Sequence, residues 1–184
     1  MNFYINTFNY FHCICILPAY NKPRIKQKIN SNIPVQLQIL LINEGSLTRT
    51  MQYLTGQIIS IEIIQQTYKT HQLKNFQRKM RFVWLETEIY TKLIFARSLW
   101  ILLQNSLISQ TINNNKPIGN SFIKNELDIH KKIHEIYYGY CYLLEKDIKS
   151  KHAIWGRKYT LYYKTKSYVT IQEIFSPYVI SFFE

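Results

Sequence analysis

Five runs of this chain are dense in β-branched and aromatic residues: "QIISIEII" (57–64), "RFVWLETEIY" (81–90), "KLIFARSLWIL" (92–102), "GRKYTLYY" (156–163) and "SYVTIQEIF" (167–175). Such residues suit a pleated, half-buried surface, so this succession limits the fold more than any other feature. The first three runs follow one another closely and read as consecutive antiparallel strands; the last two read as a hairpin. Ahead of them, "IPVQLQILLINEGSLTRTMQYLTG" reads as two helices. Pro34 suits the first turn of one that closes before Gly45. In the second, Ser46 is a candidate N-cap, Leu47, Met51 and Leu54 fall on one face, and Gly56 is a candidate stop. Between the third and fourth runs, residues 104–148 are polar and turn-rich and then helical in pattern, with Ile129, Ile133, Ile136 and Tyr140 forming one apolar stripe. The expected fold class is α+β: a single domain with an antiparallel sheet, helices packed on one side and a helical insertion. Residues 33–184 form that domain, and residues 1–32, with the basic run "NKPRIKQKINSN", form an N-terminal arm.

At 184 residues the chain can bury a core without disulfides or metal, and its 5 Gly and 5 Pro argue against a linker-rich polymer. Tyr, Phe, Ile, Asn and Lys are abundant, and all five are encoded by A- and T-rich codons. An AT-rich genome, that of an organelle or a reduced bacterium, therefore explains part of the net charge of +12 and weakens it as a sign of nucleic-acid binding. The charge also fits a small anionic substrate drawn into a basic cleft. Cys13, Cys15 and Cys141 form neither an even disulfide set nor a zinc spacing, which points to a reducing compartment. No basic region precedes the N-terminal apolar residues, so no secretory signal is expected. The most apolar window, "LIFARSLWILL", holds Arg97 and is too short to span a bilayer. His130 and His134 have a metal-compatible spacing, but with no third ligand evident they read as an exposed polar face.

Charge placement on the strands is more informative. Side chains alternate across a strand, so Val169, Ile171, Glu173 and Phe175 share the more apolar face of the last run. A buried carboxylate there needs a cationic partner, an edge position or a function. In the preceding run, Arg157, Tyr159, Leu161 and Tyr163 share parity. A three-residue loop, Thr165–Ser167, would set Tyr159 opposite Glu173 and Arg157 one diagonal step away. Arg97 shares a face with Leu93, Phe95 and Leu99. Two arginines and a glutamate on apolar faces fit a lined cavity; they also fit a buried ion pair that fixes the sheet, or strand ends reaching water.

The segments "GSLTRTM", "FARS", "KPIGNSFI", "IWGRKYTLYY" and "VTIQEIFSP" resemble, in order and spacing, those of the chorismate lyases, and look closer still to the related proteins of cyanobacteria and red-algal plastids. The likeness spans about residues 33–178, and the Trp-Gly-Arg hairpin with the Glu-Ile-Phe-x-Pro strand is its most specific part. What the resemblance implies is an antiparallel sheet with an internal pocket under helical flaps. It also implies cofactor-independent elimination of pyruvate from chorismate to give 4-hydroxybenzoate for quinone head groups, in a soluble plastid protein, expected to be a monomer. By the same resemblance Glu173 matches the glutamate that bonds the ligand's hydroxyl, Arg97 the central-strand arginine, and Leu47 and Ile118 the residues whose backbone amides face the ligand. Leu47 also opens a predicted helix, where free N–H groups favour an anion. In the better-known bacterial lyases a Trp-Leu pair precedes the arginine that holds the ring carboxylate, whereas "VWLETE" offers Glu86. At that point Arg81, Arg97 or Arg157 takes over, the correspondence slips locally, or the activity is altered. Glu173 and Arg97 are thus the expected catalytic pair, with Leu47, Ile118, Arg157 and Arg81 binding substrate and no metal or other cofactor. Two rival classes are an aromatic-carboxylate-binding protein of the same fold without turnover, and an RNA-binding protein using the tyrosines of "KYTLYYKTKSY".

Overall fold

The structure is a computed structural model that describes residues 11–19, 33–71, 76–89, 91–103, 128–163 and 166–183. Among the described residues its five β-rich runs and two further segments form one antiparallel sheet of seven strands, in the order β1-β5-β6-β7-β4-β3-β2. The strands are β1 (Phe11–Pro18), β2 (Ser60–His71), β3 (Phe76–Glu86), β4 (Lys92–Leu103), β5 (His130–Cys141), β6 (Ile154–Tyr163) and β7 (Lys166–Phe175). Pairing of β7 with β4 joins the β2-β3-β4 meander to β5-β6-β7, so β7 lies at the centre of the sheet.

Helices α1 (Val35–Leu41) and α2 (Leu47–Thr55), with a C-terminal 3-10 helix (Pro177–Phe183), cover one face. Leu40, Leu41 and Met51 are fully buried there with Ile94, Phe175 and Val179. Helix α3 (Tyr142–Ile148) covers the other face, setting Leu144 and Ile148 against Trp84, Phe95, Tyr137 and Ile174. The fold is α+β, as the pattern of runs implied. The helix-end signals act locally as expected: Ser46 Oγ accepts from the Arg49 N–H, and Gly56 takes φ 64°, a left-handed stop that suits glycine. Pro34 is the N-cap of α1, one position before its first helical residue.

Residues 130–141, expected to be helical, are instead strand β5. The reason is a β-bulge between Ile133 and Glu135. A bulge adds one residue and shifts side-chain parity. Ile133 before it and Ile136 after it therefore face the same side, opposite Tyr159 and Arg157 respectively. The spacing of three that suggested a helix is the inward face of a bulged strand. Within the stretch expected to be an arm, Phe11–Pro18 forms the edge strand β1 on β5.

A second irregularity, between Leu161 and Tyr162, sets the β6–β7 register. Tyr163 pairs with Lys166, and the shift places Arg157 directly opposite Glu173 and Tyr159 opposite Ile171. The parity expected for this hairpin holds, and the register differs from the expected one by one inward pair. Gly156, beside that pair, permits a close approach. A Cβ there would strike the Tyr137 ring and meet the Glu173 carbonyl oxygen at 2.7 Å. Through this gap the Tyr137 hydroxyl donates to the backbone carbonyls of Glu173 (3.2 Å) and Arg157 (3.5 Å). Gly156→Ala should lower stability by about 1–3 kcal/mol through overpacking, measured by urea unfolding. An unchanged midpoint would contradict this packing.

Candidate active site

Directly paired residues of antiparallel strands share a face, so the register sorts the charged side chains. One row across the α1/α2 face runs Val83, Ala96, Glu173, Arg157. The next runs Arg81, Ser98, Ile171, Tyr159. The third runs from Lys79 past Trp100, Val169 and Leu161 to Lys131. Four cationic side chains, Lys79, Arg81, Lys131 and Arg157, thus share a face with the carboxylate of Glu173.

Glu173 has the partner its buried position demanded. Arg157 Nε donates to Glu173 Oε2 at 2.7 Å, and the arginine side chain has no exposed surface. Its Nη1 donates to the carbonyls of Leu40 (2.6 Å), Leu41 (3.2 Å) and Asn43 (2.9 Å). These lie at and just beyond the C-terminus of α1, where carbonyls lack helical donors and the dipole favours a cation. α1 carries no basic residue in its own last turn. Arg157 supplies that charge from the sheet. Glu173 Oε1 accepts from the Tyr159 hydroxyl at 2.7 Å. Burial, with the Glu173 charge, holds the Tyr159 hydroxyl protonated well above the ordinary tyrosine range. An ionised carboxylate offers about four lone-pair sites, so Glu173 can still accept from a ligand hydroxyl.

Lys131 was missed by the sequence reading, because its segment was taken as helix. It stands over the Tyr159 ring, Nζ 4.7 Å from the centroid, and donates to the carbonyls of Gly45 (2.7 Å) and Asn43 (3.3 Å). This fastens the α1–α2 loop to the sheet just ahead of Leu47, the first residue of α2. Leu47 is buried, and the start of its helix is thereby brought to the Tyr159–Glu173 end of the face. Arg81 and Lys79 are each 1% exposed. Burial lowers the proton affinity of both, taking Lys79 to about 8 with help from the Arg81 charge. Lys79 Nζ sits over the rings of Tyr68 (5.5 Å) and Trp100 (5.7 Å). The Trp100 indole N–H donates to Ser98 Oγ at 2.9 Å, fixing the floor between Arg81 and Glu173.

Arg97, expected beside Glu173, is corrected by the register. It pairs with Phe82 and Gln172 and therefore stands on the α3 face, its guanidinium 5.5 Å from the Phe82 ring centroid. β4 is covered on both faces, so its apolar parity gave no direction. Glu86 also lies away from Glu173. It shares the parity of Trp84 and is near Ser60, Glu62 and Lys92 at one end of the sheet, where burial and the Glu62 charge raise its proton affinity. Ile118 lies outside the described residues. His134 Nε2 is hydrogen-bonded to Thr160 Oγ1 at 2.8 Å, and among the described residues no cluster of three His, Cys, Asp or Glu could hold a metal. A cavity of about 580 Å³ opens beside Leu37, Tyr138, Trp155, Phe175 and Ile180. Its apolar walls do not suit a charged ligand, and none of the expected site residues lines it.

This geometry can bind an anion at Arg81 and a hydroxyl at Glu173. It also predicts energetic coupling. Arg157→Met strands Glu173 and the α1 carbonyls and should cost about 3–5 kcal/mol, whereas Arg157→Met with Glu173→Leu should recover much of that loss. Urea unfolding of the wild type, both single variants and the double variant measures the coupling. Additive losses would contradict the pairing.

The profile of the Rv2949c-like chorismate pyruvate-lyase family matches residues 41–183. Curated relatives bear the name "Uncharacterized protein ycf21". That of Antithamnion sp. is 45% identical over 155 residues, 84% of this chain and 86% of the relative. That of Porphyra purpurea is 38% identical over 182 residues, 96% and 99% of the two chains. The Cyanophora paradoxa protein is 26% identical, covering 77% of each. No helix among the described residues is long and apolar enough to cross a membrane. By the span of the profile and the identity to these relatives, the chain belongs to the Rv2949c-like chorismate pyruvate-lyase family.

Proposed function

We propose that the α1/α2 face binds chorismate and eliminates pyruvate from it, leaving 4-hydroxybenzoate. The observation that carries this reading is the placement of Arg81 and Glu173 on one face, two strands and one inward pair apart. Strand and residue spacings make that about 12 Å between backbones, enough for a six-membered ring between two reaching side chains. In this assignment Arg81 holds the ring carboxylate, and the Leu47 amide faces the ligand from the Glu173 end, with the Ile118 amide facing it too by the resemblance. Glu173 accepts the ring hydroxyl, and Arg157 and Tyr159 position Glu173. Arg97 stays out of the assignment, because it faces the other side of the sheet.

In the reaction the ether C–O bond of the enolpyruvyl group breaks, and the hydrogen on the hydroxyl-bearing carbon leaves as a proton. The ring becomes aromatic. The departing enolpyruvate takes up a proton and tautomerises to pyruvate, so atoms balance with no redox partner. The protein's task is then to bind a dianion in the reactive pose and stabilise charge as the ether opens. Glu173 beside the hydroxyl is the candidate base for the departing proton. We propose further that the product supplies quinone head groups and that the chain works as a soluble monomer in a plastid.

The test is incubation of the purified chain with chorismate, following pyruvate and 4-hydroxybenzoate together. The wild type should release both in equal amounts, and Glu173→Gln, which lowers stability by leaving Arg157 unopposed, should slow turnover by about 100-fold or more per folded molecule, the folded fraction being read by circular dichroism. Thermal stabilisation by 4-hydroxybenzoate without pyruvate release would make the protein a binder only. Salt-sensitive RNA binding with neither product would overturn the reading.

A further inference from the structure

The proposed substrate dictates where its second charge must fall. In chorismate the hydroxyl and the enolpyruvyl ether occupy adjacent ring carbons, and the ring carboxylate lies across the ring from the hydroxyl. With the ring carboxylate toward Arg81 and the hydroxyl at Glu173, the enolpyruvyl carboxylate arrives at the Glu173 end. Beside another carboxylate it needs a cation there.

The cations near that end differ in what they can still do. Arg157 is committed to Glu173 and to three carbonyls at the end of α1. Lys79 shares the third row with Lys131 but lies on β3, the strand of Arg81, with its ammonium over the Tyr68 and Trp100 rings rather than toward Glu173. Arg97 is on the opposite face. Among the described cations, Lys131 alone combines position and capacity. It lies over Tyr159, whose hydroxyl bonds Glu173, and the Glu173 and Arg157 charges both act on it. An ammonium carries three donors, and the described carbonyl partners, Gly45 and Asn43, take two.

We infer, building on the lyase reading above, that Lys131 is the second carboxylate-binding residue, receiving the enolpyruvyl carboxylate and making the site selective for dianions. Burial and the Arg157 charge lower its proton affinity to about 8, against the opposing pull of Glu173 and Glu44. Lys131 is therefore mostly charged at neutral pH and loses its charge above about pH 8, so dianion affinity of the free site should weaken there. Tyr159, the remaining titratable neighbour, stays protonated through that range.

The experiment compares two ligands that cannot turn over: 4-hydroxybenzoate, with one carboxylate, and 3-(1-carboxyvinyloxy)-4-hydroxybenzoate, an already aromatic ether with the second carboxylate in place. Dissociation constants are measured by calorimetry for the full chain, Lys131→Met and Lys131→Arg. Lys131→Met should weaken the dicarboxylate by at least about tenfold and leave 4-hydroxybenzoate within about twofold, and Lys131→Arg should restore most of the loss. The wild-type preference for the dicarboxylate should shrink above pH 8 and that trend should vanish in Lys131→Met. Equal weakening of both ligands, with lowered stability, would make Lys131 only the fastening between β5 and the α1–α2 loop and overturn the proposal, as would no weakening at all. If the split holds while the wild type releases no pyruvate from chorismate, the lyase reading falls and the dianion site stands.

Discussion

A guanidinium with no access to water sits at the centre of this molecule, and much of the surrounding structure is arranged around its charge. Burying Arg157 costs several kcal/mol unless its donors are met and its charge is opposed. Glu173 opposes the charge from the next strand, and the last carbonyls of α1 meet the donors from above. The same contacts fix the end of α1, and Lys131 fixes the loop that follows it. The start of α2 is thereby located relative to Glu173. From the other face, the Tyr137 hydroxyl reaches the backbone of both paired residues through the space left by Gly156. The "WGR" and "QEIF" motifs are two halves of one arrangement.

That arrangement would hold the proposed site in place before a ligand arrives. Glu173 is held by two donors and Trp100 is tied to Ser98, so the floor between Arg81 and Glu173 has little freedom to collapse. Preorganised charge in a water-poor site is where electrostatic stabilisation is strongest. Among the described strand residues of this face, four cationic side chains stand against the one carboxylate of Glu173, a balance that would suit the proposed dianion. An AT-rich genome would account for part of the chain's charge of +12, yet these four sit on one face of the central sheet, three of them buried.

Most of the strands, two helix boundaries and the inward direction of Glu173 were legible in the sequence. Residue type marked the strands, Ser46 and Gly56 marked α2, and β7 showed its face because Glu173 broke an otherwise apolar row. What the sequence hid came from two causes. The bulge in β5 shifts parity by one residue, which made Ile133 and Ile136 look helical, and the irregularity between Leu161 and Tyr162 sets a register one inward pair from the expected one, moving Arg157 from a diagonal position to one directly opposite Glu173. Sheets covered on both faces lack alternation, which is why Arg97 seemed inward and why Arg81 could not be chosen over it. Glu86, where the motif departs from the family pattern, lies with Ser60 and Lys92 away from Glu173, so its charge does not face the candidate site.

The face assignment is the claim on which the functional reading turns, and the two arginines separate it cleanly. Turnover of chorismate should be measured for Arg81→Met and Arg97→Met side by side, each checked for folding by circular dichroism. Loss of about 100-fold or more in kcat/KM for Arg81→Met, with Arg97→Met within a few-fold of wild type, is what the geometry predicts. A severe loss for Arg97→Met with Arg81→Met nearly unaffected would contradict it.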